Sequence, residues 1–216
     1  LKVPEIYTNQ KLKSQHIEFL NSFEFNNLNN SNETKFTLLS KYFGGNYSHK
    51  GSLFLHNFNE NTQKKLIEIG EYYIPQFELL IKKKLYLSNT KDKVYILRYE
   101  GKDSNFLWHY DNEPSSYYRA IFLFKSLGKI GDFLYKDKLG KVQRLKYKLG
   151  DGIFFKGTKT YHAVEESNDV NTVRYMITFQ YTTNQNHIEK SICSEFSAIP
   201  IKNIIKKVYL NILLYI

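Results

Sequence analysis

The sequence is poor in the residues that would set it apart from ordinary globular chains. It has a single Cys, Cys193, which excludes an intrachain disulfide and fits a reducing compartment, so an intracellular setting, cytoplasm or nucleus, is the expectation. No uninterrupted apolar run is long enough to cross a bilayer, and no signal-peptide pattern opens the chain. It starts on Leu1 rather than Met, which leaves open what precedes it. No internal repeat is visible. The pair Gly44-Gly45 is followed by no Lys-Ser/Thr and so is not a phosphate-binding loop. Acidic residues are scarce beside basic ones, 21 against 31, for a net charge of +10. That surplus favours anionic partners, nucleic acid among them. The lysines are nevertheless scattered, dense only at Lys82-Lys83-Lys84 and from Lys202 to Lys207, as on a solvated surface.

Aromatic residues are abundant, at 16% of the chain with 18 Tyr and 16 Phe, which suits β-rich packing. A length of 216 residues supports one domain with a substantial core. Its first part, residues 1–93, reads as a helical and mixed support. Gln10 to Phe23 has helical character with Leu12, Ile17 and Leu20 turned inward, and Asn26 to Asn32 is an Asn-rich loop. Phe36 to Phe43 is apolar, and Leu53 to Phe58 reads as a strand. Asn61 to Leu85 has a helical period through Leu66, Ile69, Tyr73, Phe77 and Leu80, which Pro75 should kink or divide.

Residues 94–183 change character. Val94–Tyr99, Tyr118–Phe124, Gly131–Tyr135, Val142–Tyr147, Ile153–Phe155 and Arg174–Tyr181 are short apolar or alternating runs with turn residues between them, Gly150-Asp151-Gly152 being the clearest turn. That pattern predicts an all-β jelly roll or barrel for this region, and with the flanking helices a mainly β (α+β) chain. The tail, residues 184–216, carries a helical stripe through Ile201, Ile204, Ile205, Val208, Ile212 and Leu213, expected to pack on the core.

Within the β region, Trp108-His109-Tyr110-Asp111 follows a strand-like run. Residues i and i+2 of an extended chain share a face, so His109 and Asp111 project side by side. His162, in Thr160-Tyr161-His162-Ala163-Val164, is placed to add a second imidazole. Two His and a carboxylate on one face of an octahedron leave three positions open, as in non-haem Fe(II) oxygenases, although zinc and manganese also suit the trio. The other four His follow no ligand spacing and are read as structural or exposed. Arg174, Met176, Thr178 and Gln180 share one face of the last strand, opposite Tyr175, Ile177 and Phe179. A buried Arg there calls for an anion, because an unpaired buried charge is costly.

With HxD, a distal His and then Arg174 in that order, the stretch from about Val94 to Thr183 resembles the Fe(II)/2-oxoglutarate-dependent oxygenases. The resemblance implies a double-stranded β-helix (jelly roll) core. It implies Fe(II) on His109, Asp111 and His162, 2-oxoglutarate as cosubstrate, and ascorbate as reductant. It gives Arg174 the distal carboxylate of 2-oxoglutarate, which a planar guanidinium suits. Met176 departs from the Ser or Thr that many relatives carry two residues after the Arg. Tyr99 resembles the cosubstrate-contacting Tyr of the prolyl-hydroxylase-like branch, and Arg119 resembles an Arg of the same branch. Trp108 and Glu113, with Tyr117 and Tyr118, flank the metal motif as candidates for shaping a substrate mouth. The expected reaction is hydroxylation of a C–H bond, with a protein or peptide side chain favoured as substrate. A nucleobase, as in the alkylation-repair branch, is the alternative that the charge favours. That branch carries a further Arg on the last strand, however, and Tyr175 to Thr183 has none. A cupin-like binding module without catalysis is the third reading, and it leaves Arg174 without a task.

Overall fold

The computed structural model describes residues 2–23, 52–90, 93–101, 105–111 and 113–185. The predicted C-terminal helix, the Asn-rich loop and the Phe36–Phe43 run lie outside these residues.

The chain enters as strand β1 (Ile6–Lys11) and helix α1 (Ser14–Asn21). The description resumes at β2 (Ser52–Phe54), followed by helices α2 (Glu60–Tyr72) and α3 (Ile74–Ile81) and the short β3 (Tyr86–Leu87). Eight further strands complete it: β4 (Val94–Glu100), β5 (Phe106–His109), β6 (Tyr117–Leu127), β7 (Phe133–Lys136), β8 (Val142–Leu145), β9 (Asp151–Phe155), β10 (His162–Val164) and β11 (Val173–Thr182). They form a major sheet in the order β1-β9-β6-β11-β4-β2, with β3 also on β11, and a minor sheet in the order β5-β10-β7-β8. Every pairing among the described strands is antiparallel. Two such sheets face to face make the jelly roll that the strand spacing predicts.

Helices α2 and α3 follow from local chemistry. The Asn59 side chain caps α2 by accepting from the Thr62 N–H at 2.9 Å, and Glu60 occupies the first turn beside the positive end of the helix dipole. The period expected from Asn61 to Leu85 is divided as Pro75 requires. Pro75 stands in the first turn of α3, where a missing N–H leaves no hydrogen bond unmade. Leu66, Ile69, Tyr73 and Phe77 face the outer side of the major sheet and bury with Phe122, Phe154, Phe179 and Tyr181. Phe77 stacks on Phe154 with ring centroids 4.1 Å apart. Of the run from Leu53 to Phe58, only the start is strand. Leu55–Asn57 is a 3₁₀ turn, closed by the Asn57 side chain accepting from the Phe54 N–H at 2.8 Å.

The alternation along β11 sorts its residues as expected. Tyr175, Ile177, Phe179 and Tyr181 enter the helix-side core, so Arg174, Met176, Thr178 and Gln180 face the minor sheet. Phe133, Ile153 and Phe155 fill the layer between the sheets, with Tyr135, Leu145 and Val164 against them. The strand β1, within the region read as helical support, pairs with β9 at an edge of the major sheet. Its signal is weak because Thr8-Asn9-Gln10 is polar and Asn9 adopts φ 63°, where the register to β9 shifts.

Candidate metal centre and anion site

Register brings the two histidines together. In the antiparallel pair of β5 and β10, His109 stands directly opposite His162, and their ring centroids are 4.2 Å apart. Asp111 lies just past the end of β5, with its N–H donating to the Gly157 carbonyl at 3.2 Å. Its Oδ1 is 3.5 Å from His109 Nε2 and 4.0 Å from His162 Nε2. One donor atom from each of the three residues lies within 4.8 Å of the others, close enough for a single cation to be held by all three. The three side chains are 10%, 5% and 7% exposed.

Backbone carbonyls set both imidazoles. His109 Nδ1 lies 2.7 Å from the Leu107 oxygen and His162 Nδ1 2.9 Å from the Thr160 oxygen. Each carbonyl accepts only, so each Nδ1 carries a proton and Nε2 is the ring nitrogen turned toward Asp111. Burial, reinforced by His109, pushes His162 down to about 3 against the pull of Asp111. Burial by itself would raise the Asp111 carboxyl, but Arg119 and the two imidazoles reverse this and hold it well below the usual carboxylate range. At neutral pH His162 is therefore neutral and Asp111 ionised, the forms that ligate.

Behind Asp111 is a polar network. Arg119 Nε lies 3.4 Å from Asp111 Oδ2, and Arg119 donates to Glu113 Oε2 from Nε at 3.1 Å and Nη2 at 3.0 Å. Arg119 Nη1 also donates to the Tyr95 hydroxyl at 3.0 Å. Gln180 Nε2 donates to Glu113 Oε2 at 3.0 Å, and the Gln180 oxygen accepts from Thr90 at 3.0 Å. This network fixes which oxygen of Asp111 faces the histidines. Gly157 completes the packing, since a Cβ there would collide with the Asp111 carboxylate.

Arg174 presents the opposite situation. It is 3% exposed, its Cζ lies 4.1 Å from the centre of the Tyr99 ring, and Nη1 donates to the Gly131 carbonyl at 3.0 Å. Nε and Nη2, the parallel pair of donors along one edge, have no hydrogen-bond partner. Among the described residues no carboxylate pairs with it, and burial lowers its pKa. A buried guanidinium with its two-pronged edge free is a receptor for a carboxylate.

The sequence-predicted residues divide. His109, Asp111 and His162 converge, and Tyr99 lies beside Arg174. Glu113 and Arg119 pair with each other in the buried layer behind Asp111, each charge offsetting the cost of burying the other. Tyr117 and Tyr118 are likewise closed off. Trp108 stacks on Tyr161 at 5.4 Å beneath Lys136, rather than against the triad. Sequence reasoning missed Tyr95, Gly157 and Tyr147. Gly157 alone carries a signal, as a Gly five residues before the distal His; a further Tyr among 18 carries none.

No family model and no curated protein matches the sequence. Solved structures do match the fold. The epimerase SnoN of nogalamycin biosynthesis, described as non-haem and alpha-ketoglutarate dependent, superposes with a TM-score of 0.56 at 12% identity, over 83% of this chain and 78% of its own. HygX from Streptomyces hygroscopicus, solved with nickel and 2-oxoglutarate bound, gives 0.55 at 11% identity, over 83% of each chain. The viral collagen prolyl hydroxylase from Paramecium Bursaria Chlorella virus-1 gives 0.54 at 14% identity, over 82% of this chain and 96% of its own. At these identities the likeness is one of fold.

Proposed function

We propose that this chain is an Fe(II)- and 2-oxoglutarate-dependent dioxygenase that hydroxylates a C–H bond of a protein side chain. One observation carries the reading: the layer between the sheets holds a buried His-Asp-His cluster and, on β11, a buried Arg174 whose two-pronged edge is free among the described residues. The first fits a divalent metal and the second a dicarboxylate, the two components that such an enzyme needs. When bound, the metal and 2-oxoglutarate supply the oxidising power drawn from O₂, with succinate and CO₂ released.

The protein's part is placement. His109 and His162 offer Nε2 because Leu107 and Thr160 hold the Nδ1 protons. Asp111 offers Oδ1 while Arg119 engages Oδ2. Arg174 orients the distal carboxylate, and the apolar side chains Leu123, Met176 and Ile130 beside Tyr99 exclude water from that end. A cupin-like binding module would leave the free edge of Arg174 without purpose.

A peptide substrate is supported by fold neighbours that include a prolyl hydroxylase from Trichoplax adhaerens in complex with a peptide fragment, matched at TM-score 0.52 and 13% identity over 83% of this chain and 84% of its own. The net charge of +10 favours a nucleobase instead. Titration with single- and double-stranded oligonucleotides at two salt concentrations separates the two, since absence of affinity even at low salt removes the nucleic-acid reading.

The direct test is anaerobic. Fe(II) and then 2-oxoglutarate are added to metal-free protein, and a visible charge-transfer band is expected that both His109→Ala and Arg174→Ala abolish. A folded, metal-loaded protein with no band would overturn the proposal.

A further inference from the structure

Arg174 is not the only buried donor left without a partner at its end of the inter-sheet layer. The Tyr147 hydroxyl, between β8 and β9, also lacks solvent and a hydrogen-bond partner. Its ring spans two apolar groups. On one side it packs with Tyr99, Leu123 and Met176 around Arg174. On the other it meets Phe133 edge-on at 6.4 Å, and Phe133 in turn stacks on His162 at 5.5 Å. Tyr147 thus joins the apolar group beside Tyr99 and Arg174 to the group that packs on His162.

Two orphaned groups so close in type call for one explanation. A buried hydroxyl without a partner costs about 1–3 kcal/mol, and the two unpaired guanidinium N–H groups add to that. Burial pushes the Tyr147 phenol far above its ordinary value although the Arg174 charge pulls it down, so it remains an O–H donor at any working pH. Arg174 and Tyr147 interact electrostatically, and no carboxylate among the described residues answers either of them. Met176, on the same face of β11 two residues after Arg174, has no hydroxyl to contribute. A carboxylate has two oxygens with several acceptor positions; the Nε and Nη2 donors of Arg174 satisfy one from each oxygen and leave others open.

We infer that the Tyr147 hydroxyl is a second donor to the distal carboxylate of 2-oxoglutarate, completing with Arg174 a three-donor carboxylate site. This rests on the oxygenase reading. Tyr147 is a cosubstrate-positioning residue that sets which 2-oxo acid is accepted, because an apolar 2-oxo acid leaves three buried donors unpaired. Specificity built on hydrogen bonds that a rival cannot make is stronger than specificity built on shape.

The test is binding, not turnover. Under anaerobic conditions, Fe(II)-loaded wild type, Tyr147→Phe and Arg174→Ala are titrated with 2-oxoglutarate and with 2-oxopentanoate, in which a methyl group replaces the distal carboxylate. Tyr147→Phe should weaken 2-oxoglutarate about tenfold, as for loss of one hydrogen bond to a charged group. Its affinity for 2-oxopentanoate, and the melting temperature of the ligand-free protein, should not fall. Wild-type affinity for 2-oxoglutarate in Tyr147→Phe, with Arg174→Ala impaired, would overturn the inference and leave the oxygenase reading intact. An equal loss for both acids would reduce Tyr147 to packing. A wild type that binds neither acid would remove the oxygenase reading itself.

Discussion

Arg119 and Arg174 lie on adjacent strands of one sheet, both buried and both facing the minor sheet, and their surroundings are opposite. Arg119 is enclosed by Asp111, Glu113 and the Tyr95 hydroxyl, and the two carboxylates raise its pKa well above the ordinary value. Arg174 has a carbonyl, an aromatic face and no acid among the described residues, and burial lowers its pKa. The first is part of the folded protein's own charge balance. There the Asp111 and Glu113 carboxyl groups share one guanidinium beside two imidazoles, a donor set that fits a cation. The second is balanced by no acid among the described residues. One layer of the fold therefore holds a guanidinium surrounded by acids and another with none among the described residues, and a buried charge left without a partner is a pointer to function.

That contrast can be broken by one substitution made twice. Arg119→Met should destabilise the ligand-free protein by about 3–5 kcal/mol, because it strands two buried carboxylates. Chemical denaturation measures it, and a loss below about 1 kcal/mol would mean that Arg119 is not what holds Asp111 and Glu113.

The metal end should also be the pH-sensitive one. His162 binds a proton only near 3 when folded but near its ordinary value of 6.5 when unfolded. Between those values the unfolded chain holds more protons, so stability of the metal-free protein falls as pH is lowered through that window. The slope from this group is at most about 1.4 kcal/mol per pH unit. Denaturation midpoints of wild type and His162→Gln across pH 4 to 7, roughly the window this linkage covers, should diverge, the variant losing less on acidification. Parallel curves would show that His162 is not buried as a neutral ring.

The smallest effect is expected to have the opposite sign. Arg174→Met should leave the ligand-free protein as stable as wild type or more stable by about 1 kcal/mol, since two unsatisfied donors disappear. Thermal and chemical denaturation compare the two chains. Destabilisation as large as that of Arg119→Met would mean that Arg174 is a structural cation with a partner of its own.

These expectations rest unevenly on the sequence. The face of β11 that carries Arg174, Met176, Thr178 and Gln180 was legible because strand alternation is a two-residue period that local sequence displays directly. The division of the long helical period at Pro75 was legible for a similar reason, since a ring without an N–H can stand only in a helix's first turn. The strand β1 was not, being polar and broken at Asn9, and it becomes a strand only by pairing with β9, some 140 residues away. Glu113 read as a candidate for a substrate mouth and Arg119 only as an Arg of a resembled branch, because neither charge announces its partner in the sequence. Only their mutual contact, and the facing of Arg119 and Gln180 across β6 and β11, makes burial affordable.

By itself, then, the order of residues determined the kinds of chemistry present: an HxD pair, a later His, a later Arg, and short alternating strands to carry them. What the tertiary structure decided is which groups answer one another. The opposition of His109 and His162, the clearance at Gly157 for the Asp111 carboxylate, and the approach of Tyr147 to Arg174 all depend on sheet register and on the packing of two sheets. Those contacts join residues far apart in the chain, and no local period records which distant partner a strand will choose.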